Sequence, residues 1–224
     1  MGQMERYEVT LNGLTPLLLH NDNLGFNEKI ERWRKDPANK ALSQAGDDRS
    51  PAFTWIGYLY HAQGKVGVSA DNLMTMLRES GAKITKKGKE SYKKQTQSGL
   101  LIDTIQFDIL VNGQTVPTAP INEMIGVTEF DQHMDLAESL GFELFVKRAA
   151  IGRAKHVRVR PMFREWQLKG TMTILDTELY GINKSVLEQI LTIGGAQVGL
   201  CDWRPSSGAS GPYGKFTPEV KRIK

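Results

Sequence analysis

The chain of 224 residues is 40% hydrophobic and 24% charged, a composition typical of globular proteins and outside the range of disordered ones. No apolar run approaches the roughly 20 residues that a membrane-spanning helix needs, and the opening residues MGQMERYEV lack the apolar core of a signal peptide, so we expect a cytoplasmic protein. The single cysteine, Cys201, excludes an internal disulfide, and the four histidines show no metal-ligand spacing, so no metal or other cofactor is expected.

In chain order, the first predicted element is a strand. Residues 7–14 alternate apolar and polar side chains, which is the pattern of a half-buried strand. Residues 22–50 are polar and irregular, with a short helix predicted around residues 27–35, and we interpret this stretch as a long insertion. Residues 53–62, FTWIGYLYHA, predict a second strand.

Two helices are marked by the residues at their ends. Ser69 is a good N-cap for a helix that Gly81 closes, and Asn183 caps a second helix that ends at Gly194. Further elements are predicted between them: strands at 100–113 and 166–176, two strands at 142–163 joined around Gly152, and a short helix near 131–140.

This order of elements predicts an α+β fold. Two helices on one face of an antiparallel sheet form a ferredoxin-like or RRM-like arrangement, here modified by insertions. Without a linker or an internal repeat, residues 1–224 are expected to form a single domain. It would carry the insertion at 22–50, a basic mobile loop or hairpin tip at 83–98 and a C-terminal glycine-rich loop at 194–216.

Positive charge is concentrated in two segments, although the net charge is only +4. The lysine-rich segment carries Lys83, Lys86, Lys87, Lys89, Lys93 and Lys94, and residues 147–164 carry Lys147, Arg148, Arg153, Lys155, Arg158, Arg160 and Arg164. Together they hold 13 of the 29 basic residues, a local density that favours binding to a polyanion because each neutralised phosphate releases counterions. The alternative is a pair of solvated loops.

Within the second segment, His156, Arg158 and Arg160 fall on one face of a predicted strand, with two valines on the other. Such charges cannot be buried unpaired, so this face must contact water, carboxylates or phosphates. We favour contact with nucleic acid, and the alternative is a solvated sheet edge.

In the glycine-rich loop, Trp203 and Arg204 are the candidates for a stacking plane and a charge that bind single strands. The alternative is that Asp202 pairs with an arginine while Trp203 packs into the core. The aromatic signature of a true RRM is absent, and so is a Walker phosphate loop.

Four stretches carry a family resemblance: NGLTPLLLHN (12–21), GKVGVSADNLMTMLRESGAKI (64–84), RVRPMFREW (158–166) and GGAQVGLCDWRPSSGASGPYGKF (194–216). They resemble a family of phage and prophage proteins that is similar to the RAMP superfamily, which includes backbone subunits of CRISPR effector complexes. The resemblance implies an RRM-like fold whose glycine-rich loop approaches phosphates through its backbone, and proteins that coat a single strand in the cytoplasm of a bacterial host. Cys201 stands where a small residue, often glycine, is more usual.

We therefore predict a non-catalytic, largely sequence-independent binder of single-stranded RNA or DNA that oligomerises along the strand. The candidate binding residues are Lys86, Lys87, Lys89, Lys93, Lys94, Arg153, Lys155, His156, Arg158, Arg160, Arg164, Trp203 and Arg204. Two alternatives remain: a metal-independent endoribonuclease that uses His20, and a phage protein that binds a host or CRISPR complex.

Overall fold

The computed structural model describes residues 2–151 and 154–223. It confirms the α+β class, with 35% helix, 32% strand and antiparallel sheets. The strands are β1 (Glu5–Gly13), β2 (Leu17–Leu18), β3 (His61–Ala62), β4 (Lys65–Ser69), β5 (Thr85–Lys87), β6 (Glu90–Ser91), β7 (Leu100–Ile102), β8 (Gln106–Val111), β9 (Gln114–Thr115), β10 (Glu143–Ile151), β11 (Ala154–Phe163), β12 (Gln167–Ile174) and β13 (Phe216–Ile223).

The α-helices are α1 (Leu24–Lys35), α2 (Ala70–Gly81), α3 (Lys93–Gly99), α4 (Ala119–Glu123), α5 (Phe130–Ser139), α6 (Thr177–Tyr180) and α7 (Lys184–Ile193). Two 3₁₀ helices, Pro37–Asn39 and Ala52–Tyr58, and a π-helical turn at Gly194–Val198 complete the helical elements of the described chain. Over residues 2–151 and 154–223, no helix has the length and apolar character needed to cross a membrane.

The chain folds into two compact units. The first contains Met1–Leu17, His61–Val116 and Arg164–Lys224, and the second contains Leu18–Tyr60 and Pro117–Phe163. The second unit is thus built from two segments that interrupt the first in sequence, whereas the sequence predicted one insertion, at 22–50, within a single domain.

The first unit is organised around a sheet with the strand order β13-β1-β12-β8-β4-β3, in which neighbouring strands run antiparallel. In β1, Tyr7, Val9 and Leu11 are buried, as the alternating sequence pattern predicts. Val9 lies opposite Gly170 of β12 and Val220 of β13, so β1 is flanked on both sides by strands from much later in the chain.

Both helices predicted from their caps are confirmed. Ser69 Oγ accepts from the backbone N–H of Asn72 at 3.4 Å, and Asn183 Oδ1 accepts from Val186 N–H at 3.0 Å. The apolar stripes of the two helices are buried, and the helices contact each other. Gly194 does not end α7 through a left-handed turn, because its backbone stays helical and continues into the π turn. A Cβ there would lie 2.4 Å from Met76 Sδ, so the glycine serves close helix packing.

In the second unit, the predicted strand pair at 142–163 is confirmed as the antiparallel strands β10 and β11, and the predicted join at Gly152 lies outside the described residues. The predicted strand at 53–62 is wrong, because Ala52–Tyr58 is a 3₁₀ helix and only His61–Ala62 pairs as a strand. Phe53 and Trp55 are both buried, and a short apolar run that is buried on all sides does not reveal by its pattern whether it is a strand or a helix.

The lysine-rich segment 83–98 contains the hairpin β5–β6, as one of the two sequence interpretations predicted, followed directly by α3. Gly88, at the hairpin turn, has a φ of 57°, and Tyr92 N–H donates to Ile84 O at 3.1 Å where the hairpin closes. We call residues 83–94 the lysine hairpin.

A buried histidine in the second unit leads to a prediction about acid stability. His133 is fully buried, its Nδ1 accepts from Trp55 Nε1 at 3.1 Å, and its Nε2 lies 3.0 Å from Val127 O. Burial lowers the pKa of His133 below its ordinary value of 6.5. The unfolded chain binds a proton at this histidine more readily than the folded protein does. The stability that neutral His133 contributes to the fold is therefore fully present above the unfolded pKa and is lost as the pH falls below about 6.5.

We expect the amides of the second unit to lose protection from hydrogen exchange as the pH is lowered below that value, after correction for the intrinsic exchange rate. His133→Gln should flatten this dependence, whereas His61→Gln, at an exposed position, should not. Identical pH profiles for His133→Gln and the unsubstituted protein would contradict the assignment.

Candidate nucleic-acid interface

The lysine hairpin presents an unbalanced positive surface. Its six lysines are all exposed, and Glu90 is the one acid in residues 83–94. In the described parts of the chain, none of the six ammonium groups lies within the 4.0 Å of a carboxylate that defines an ion pair. These charges are therefore available to a ligand.

The glycine-rich loop is fixed to α2 by a set of polar contacts that we call the loop–helix clamp, formed by Glu79, Arg204 and Ser206. Arg204 Nη2 donates to Glu79 Oε1 at 3.1 Å, Arg204 Nε donates to Ser206 Oγ at 3.0 Å, and Ser206 Oγ donates to Glu79 Oε2 at 2.6 Å. Arg204 Nη1 also donates to Cys201 O at 3.2 Å. The carboxylate that pairs with Arg204 thus comes from α2, and the guanidinium holds the loop in place.

The glycines of this loop let it fold closely on itself. A Cβ on Gly211 would lie 2.1 Å from Trp203 O, and Gly214, with a φ of 71°, has Leu200 O at 2.2 Å from the position of a Cβ. Trp203 is half-buried and its ring lies 5.4 Å from that of Tyr213, centre to centre. The loop therefore folds closely around Trp203, and part of this residue stays exposed.

Cys201 adopts a left-handed backbone, with a φ of 61°, which explains why glycine would suit this position. The thiol is buried, and burial raises its pKa well above the usual range, so the group stays protonated.

Two separate pockets border α2 and the glycine-rich loop, and we refer to them together as the α2–loop groove. It consists of a cavity of about 150 Å³, lined by Asp71, Asn72, Thr75, Gly199, Cys201 and Arg204, and one of about 360 Å³, lined by Arg78, Glu79, Ala82, Lys83, Lys93 and Ser206. The α2 residues recur every three or four positions, so they share one helix face. The groove thereby brings Lys83 and Lys93 of the lysine hairpin next to the glycine-rich loop.

The arginines of β11 lie in the second unit and have a protein partner. Asp48 is almost fully buried and accepts from Arg158 Nη1 at 2.9 Å, Arg160 Nη1 at 3.3 Å, Tyr58 OH at 3.0 Å and Val159 N–H at 3.2 Å. The Arg160 guanidinium also lies 4.3 Å from the centre of the Tyr58 ring. Burial, followed by the Asp48 charge, raises the pKa of Tyr58, so its hydroxyl remains a donor. Of the three partners that the sequence allowed for this face, a carboxylate is the one observed.

The backbone of the predicted insertion is hydrogen-bonded to β11 as well. Asp48 N–H donates to Val157 O at 3.0 Å, and Val157 N–H donates to Gly46 O at 2.8 Å. His156 packs its ring against Gly46, and its buried Nδ1 has no hydrogen-bond partner among the described residues. Residues 46–48 are thus an integral part of the second unit.

The polar face of the first unit's sheet is balanced in charge. On this face Arg6 forms an ion pair with Asp103 at 2.8 Å. Two further ion pairs join Lys169 to Glu8 at 3.3 Å and Lys65 to Asp108 at 3.1 Å. The described strand residues of this face include no aromatic side chain. This face is therefore poorly suited to stacking bases or attracting phosphates.

The predicted site residues are consequently divided between the units. Lys86, Lys87, Lys89, Lys93, Lys94, Arg164, Trp203 and Arg204 belong to the first unit, and Lys155, His156, Arg158 and Arg160 belong to the second. Arg153 lies outside the described residues. The α2–loop groove contains Lys93 and Arg204 from this set.

Sequence reasoning did not include the charged or polar groove residues Arg78, Glu79 and Ser206 in the site. Arg78 and Glu79 could have been noticed as charges on the helix face opposite the apolar stripe of α2, but their proximity to the loop could not. Comparison with profiles of known protein families and with curated protein sequences found no match for this chain.

Proposed function

We propose that this protein binds single-stranded nucleic acid, RNA or DNA, without catalysing a reaction and with little sequence preference. The strand would run along the α2–loop groove and past the lysine hairpin. The observation that carries the proposal is the set of six exposed lysines that have no carboxylate partner in residues 2–151 and 154–223, and two of these lysines line the groove. Flexible ammonium groups neutralise phosphates without reading bases, which accounts for the low sequence preference.

The order of elements in the first unit supports the finer fold assignment, a ferredoxin-like or RRM-like core. β1, α2, β8, β12, α7 and β13 follow one another in βαββαβ order, and the four strands are neighbours in the sheet. Together with the resemblance to the RAMP superfamily, this supports a protein of phage or prophage origin that acts in the host cytoplasm and assembles as a homo-oligomer along the strand.

The aromatic pair Trp203 and Tyr213 of the glycine-rich loop offers a second kind of contact. Both residues are half-buried in the glycine-rich loop, so each keeps part of its surface exposed. A base stacked on an aromatic side chain contributes about 1–3 kcal/mol whatever its identity. Phosphate contacts from the lysines and one stacked base are sufficient for a short footprint.

The test is a salt titration with the unsubstituted protein. Fluorescence anisotropy with labelled oligo-U and oligo-dT should show binding whose log K falls linearly with log salt concentration. Each phosphate contact contributes a slope of about 0.7 for a single strand, so two to six engaged lysines give a total slope of about 1.5 to 4. Oligomers of other sequence should bind within a few-fold. Affinity that does not change with salt would refute the electrostatic basis of the proposal.

The oligomeric part of the proposal is tested separately, by size exclusion of protein purified in moderate salt. A particle that is rich in nucleic acid and shrinks with nuclease supports assembly along the strand. A monomeric peak without nucleic acid refutes assembly. Recovery of a host protein complex that survives nuclease would favour the alternative of a protein-binding phage factor.

One observation bears on the endoribonuclease alternative. The exposed ring of His20 contacts the Tyr58 ring edge-on, 5.0 Å from centre to centre, and Tyr58 donates to Asp48 beside two arginines. Cleavage of labelled RNA in EDTA that is lost in His20→Ala would establish this alternative. We expect no cleavage by either protein, since the lysine hairpin and the α2–loop groove belong to the other unit.

A further inference from the structure

The α2–loop groove contains a negative charge in a place where a polyanion would bind. Among the residues that line the larger cavity, Arg78, Lys83 and Lys93 are cations and Glu79 is the one carboxylate. We propose that Glu79 is a built-in competitor of the nucleic-acid phosphate for Arg204, so that binding requires Arg204 to exchange a carboxylate for a phosphate. This inference rests on the proposed function and names the residue that limits its affinity.

The guanidinium of Arg204 is already engaged in the free protein, since three of its five N–H groups donate to described acceptors. Nε, Nη1 and Nη2 donate to Ser206 Oγ, Cys201 O and Glu79 Oε1, respectively. The side chains of Arg204 and Glu79 are 22% and 29% exposed, so the pair is partly shielded from solvent yet borders the cavity. An ion pair of this kind is stronger than a fully exposed one and still accessible to an incoming anion.

The exchange is chemically simple. A guanidinium forms parallel N–H···O bonds with a carboxylate or with a phosphate, so a phosphate oxygen can take the position of Glu79 Oε1. Ser206 Oγ, which donates to Glu79 Oε2 at 2.6 Å, would be released at the same step and could donate to the same phosphate. The clamp that fixes the loop in the free protein thereby becomes a phosphate site in the complex.

In the free protein, the contact between Glu79 and Arg204 consequently prevents small anions from binding to Arg204. A single small anion gains one contact and must displace Glu79, whereas a polynucleotide also engages the lysine hairpin and offsets that cost. Glu79 therefore favours long polyanions over small anions. This selectivity comes from repulsion by the Glu79 carboxylate, not from an additional attractive contact.

Glu79→Gln tests the proposal because it removes the charge and keeps the size and hydrogen-bonding capacity of the side chain. We expect this variant to bind oligo-U and oligo-dT about two- to ten-fold more tightly than the unsubstituted protein in low salt, and inorganic pyrophosphate more tightly as well. Its plot of log K against log salt should keep about the same slope, because Arg204 contacts a phosphate in both complexes and only the cost of displacing Glu79 is removed.

Two further variants complete the design. Arg204→Ala in the Glu79→Gln background should abolish the gain, because the gain arises from the released guanidinium. Glu188→Gln, which removes a carboxylate paired with Lys184 on α7, is the matched control and should leave affinity unchanged.

The outcomes separate this inference from the proposed function. If the unsubstituted protein binds with the expected salt slope but Glu79→Gln binds no more tightly while remaining folded, the competitor role is refuted and the binding function stands. If the gain survives Arg204→Ala, exchange at Arg204 is likewise refuted. If neither protein binds any oligonucleotide in low salt, both proposals are refuted together.

Discussion

Replacing Lys86, Lys87 and Lys89 with glutamine should lower the affinity for single-stranded oligonucleotides about 10²- to 10³-fold at 50 mM salt. Each lost phosphate contact removes about 0.7 from the salt slope, which corresponds to almost ten-fold in affinity at that concentration. The three side chains lie at the exposed turn of the lysine hairpin and form no ion pair with a described residue, so the melting temperature should not change. Anisotropy titrations and a thermal melt of the same preparation provide both readouts.

The control must remove the same charge elsewhere. Lys29, Lys35 and Lys40 are exposed lysines in the second unit, and replacing them with glutamine lowers the net charge by the same three units. We expect a loss of less than about five-fold, since charges outside the contact surface act only through the screened long-range field. Equal losses in the two triple variants would mean that net charge, and not the hairpin, determines binding.

Asp48→Ala should destabilise the second unit by about 3–5 kcal/mol, the usual result of removing one partner from a buried ion cluster. The substitution leaves Arg158, Arg160, the Tyr58 hydroxyl and the Val159 N–H without their shared acceptor. It also removes the carboxylate that pairs with two partly buried guanidinium groups. We expect the largest effect of any single substitution considered for this protein.

Because the chain has two units, the loss is best measured where it arises. Hydrogen exchange should show faster opening of residues 44–50 and of β11, together with a lower urea midpoint for the second unit. Glu28→Ala, which breaks the exposed pair with Arg32, is the control and should cost less than about 1 kcal/mol. Unchanged protection at 44–50 in Asp48→Ala would show that the arginine cluster does not hold this segment.

These two predictions give the two basic segments different roles, whereas the sequence predicted that both bind nucleic acid. Among the described residues the lysines have no carboxylate partner, and we propose that they bind a ligand, whereas the arginines of β11 share Asp48 and stabilise the second unit. Sequence proximity did not reveal this, because Asp48 lies 110 residues before Arg158 and inside a stretch without regular periodicity. A buried acid in an irregular segment gives no local signal.

Elements that depend on local chemistry were predicted well. The alternation of β1 and the capping residues Ser69 and Asn183 specify structure within a few neighbouring residues, so the sequence alone was sufficient. The 3₁₀ helix at Ala52–Tyr58 escaped prediction because complete burial hides the periodicity that distinguishes strand from helix. The loop–helix clamp escaped for a different reason, since Arg204 and Glu79 are 125 residues apart and only the tertiary fold brings them together.

The strand order of the first unit affects how the chain folds during its synthesis. β1 leaves the ribosome well before both of its neighbours, β12 and β13, which are made from residues 167–174 and 216–223. The residues of the second unit are all synthesised by position 163, so that unit can fold while β1 still waits for a partner. Contacts of such long sequence separation close slowly, which leaves the apolar face of β1 exposed to chaperones until β12 and β13 have been made.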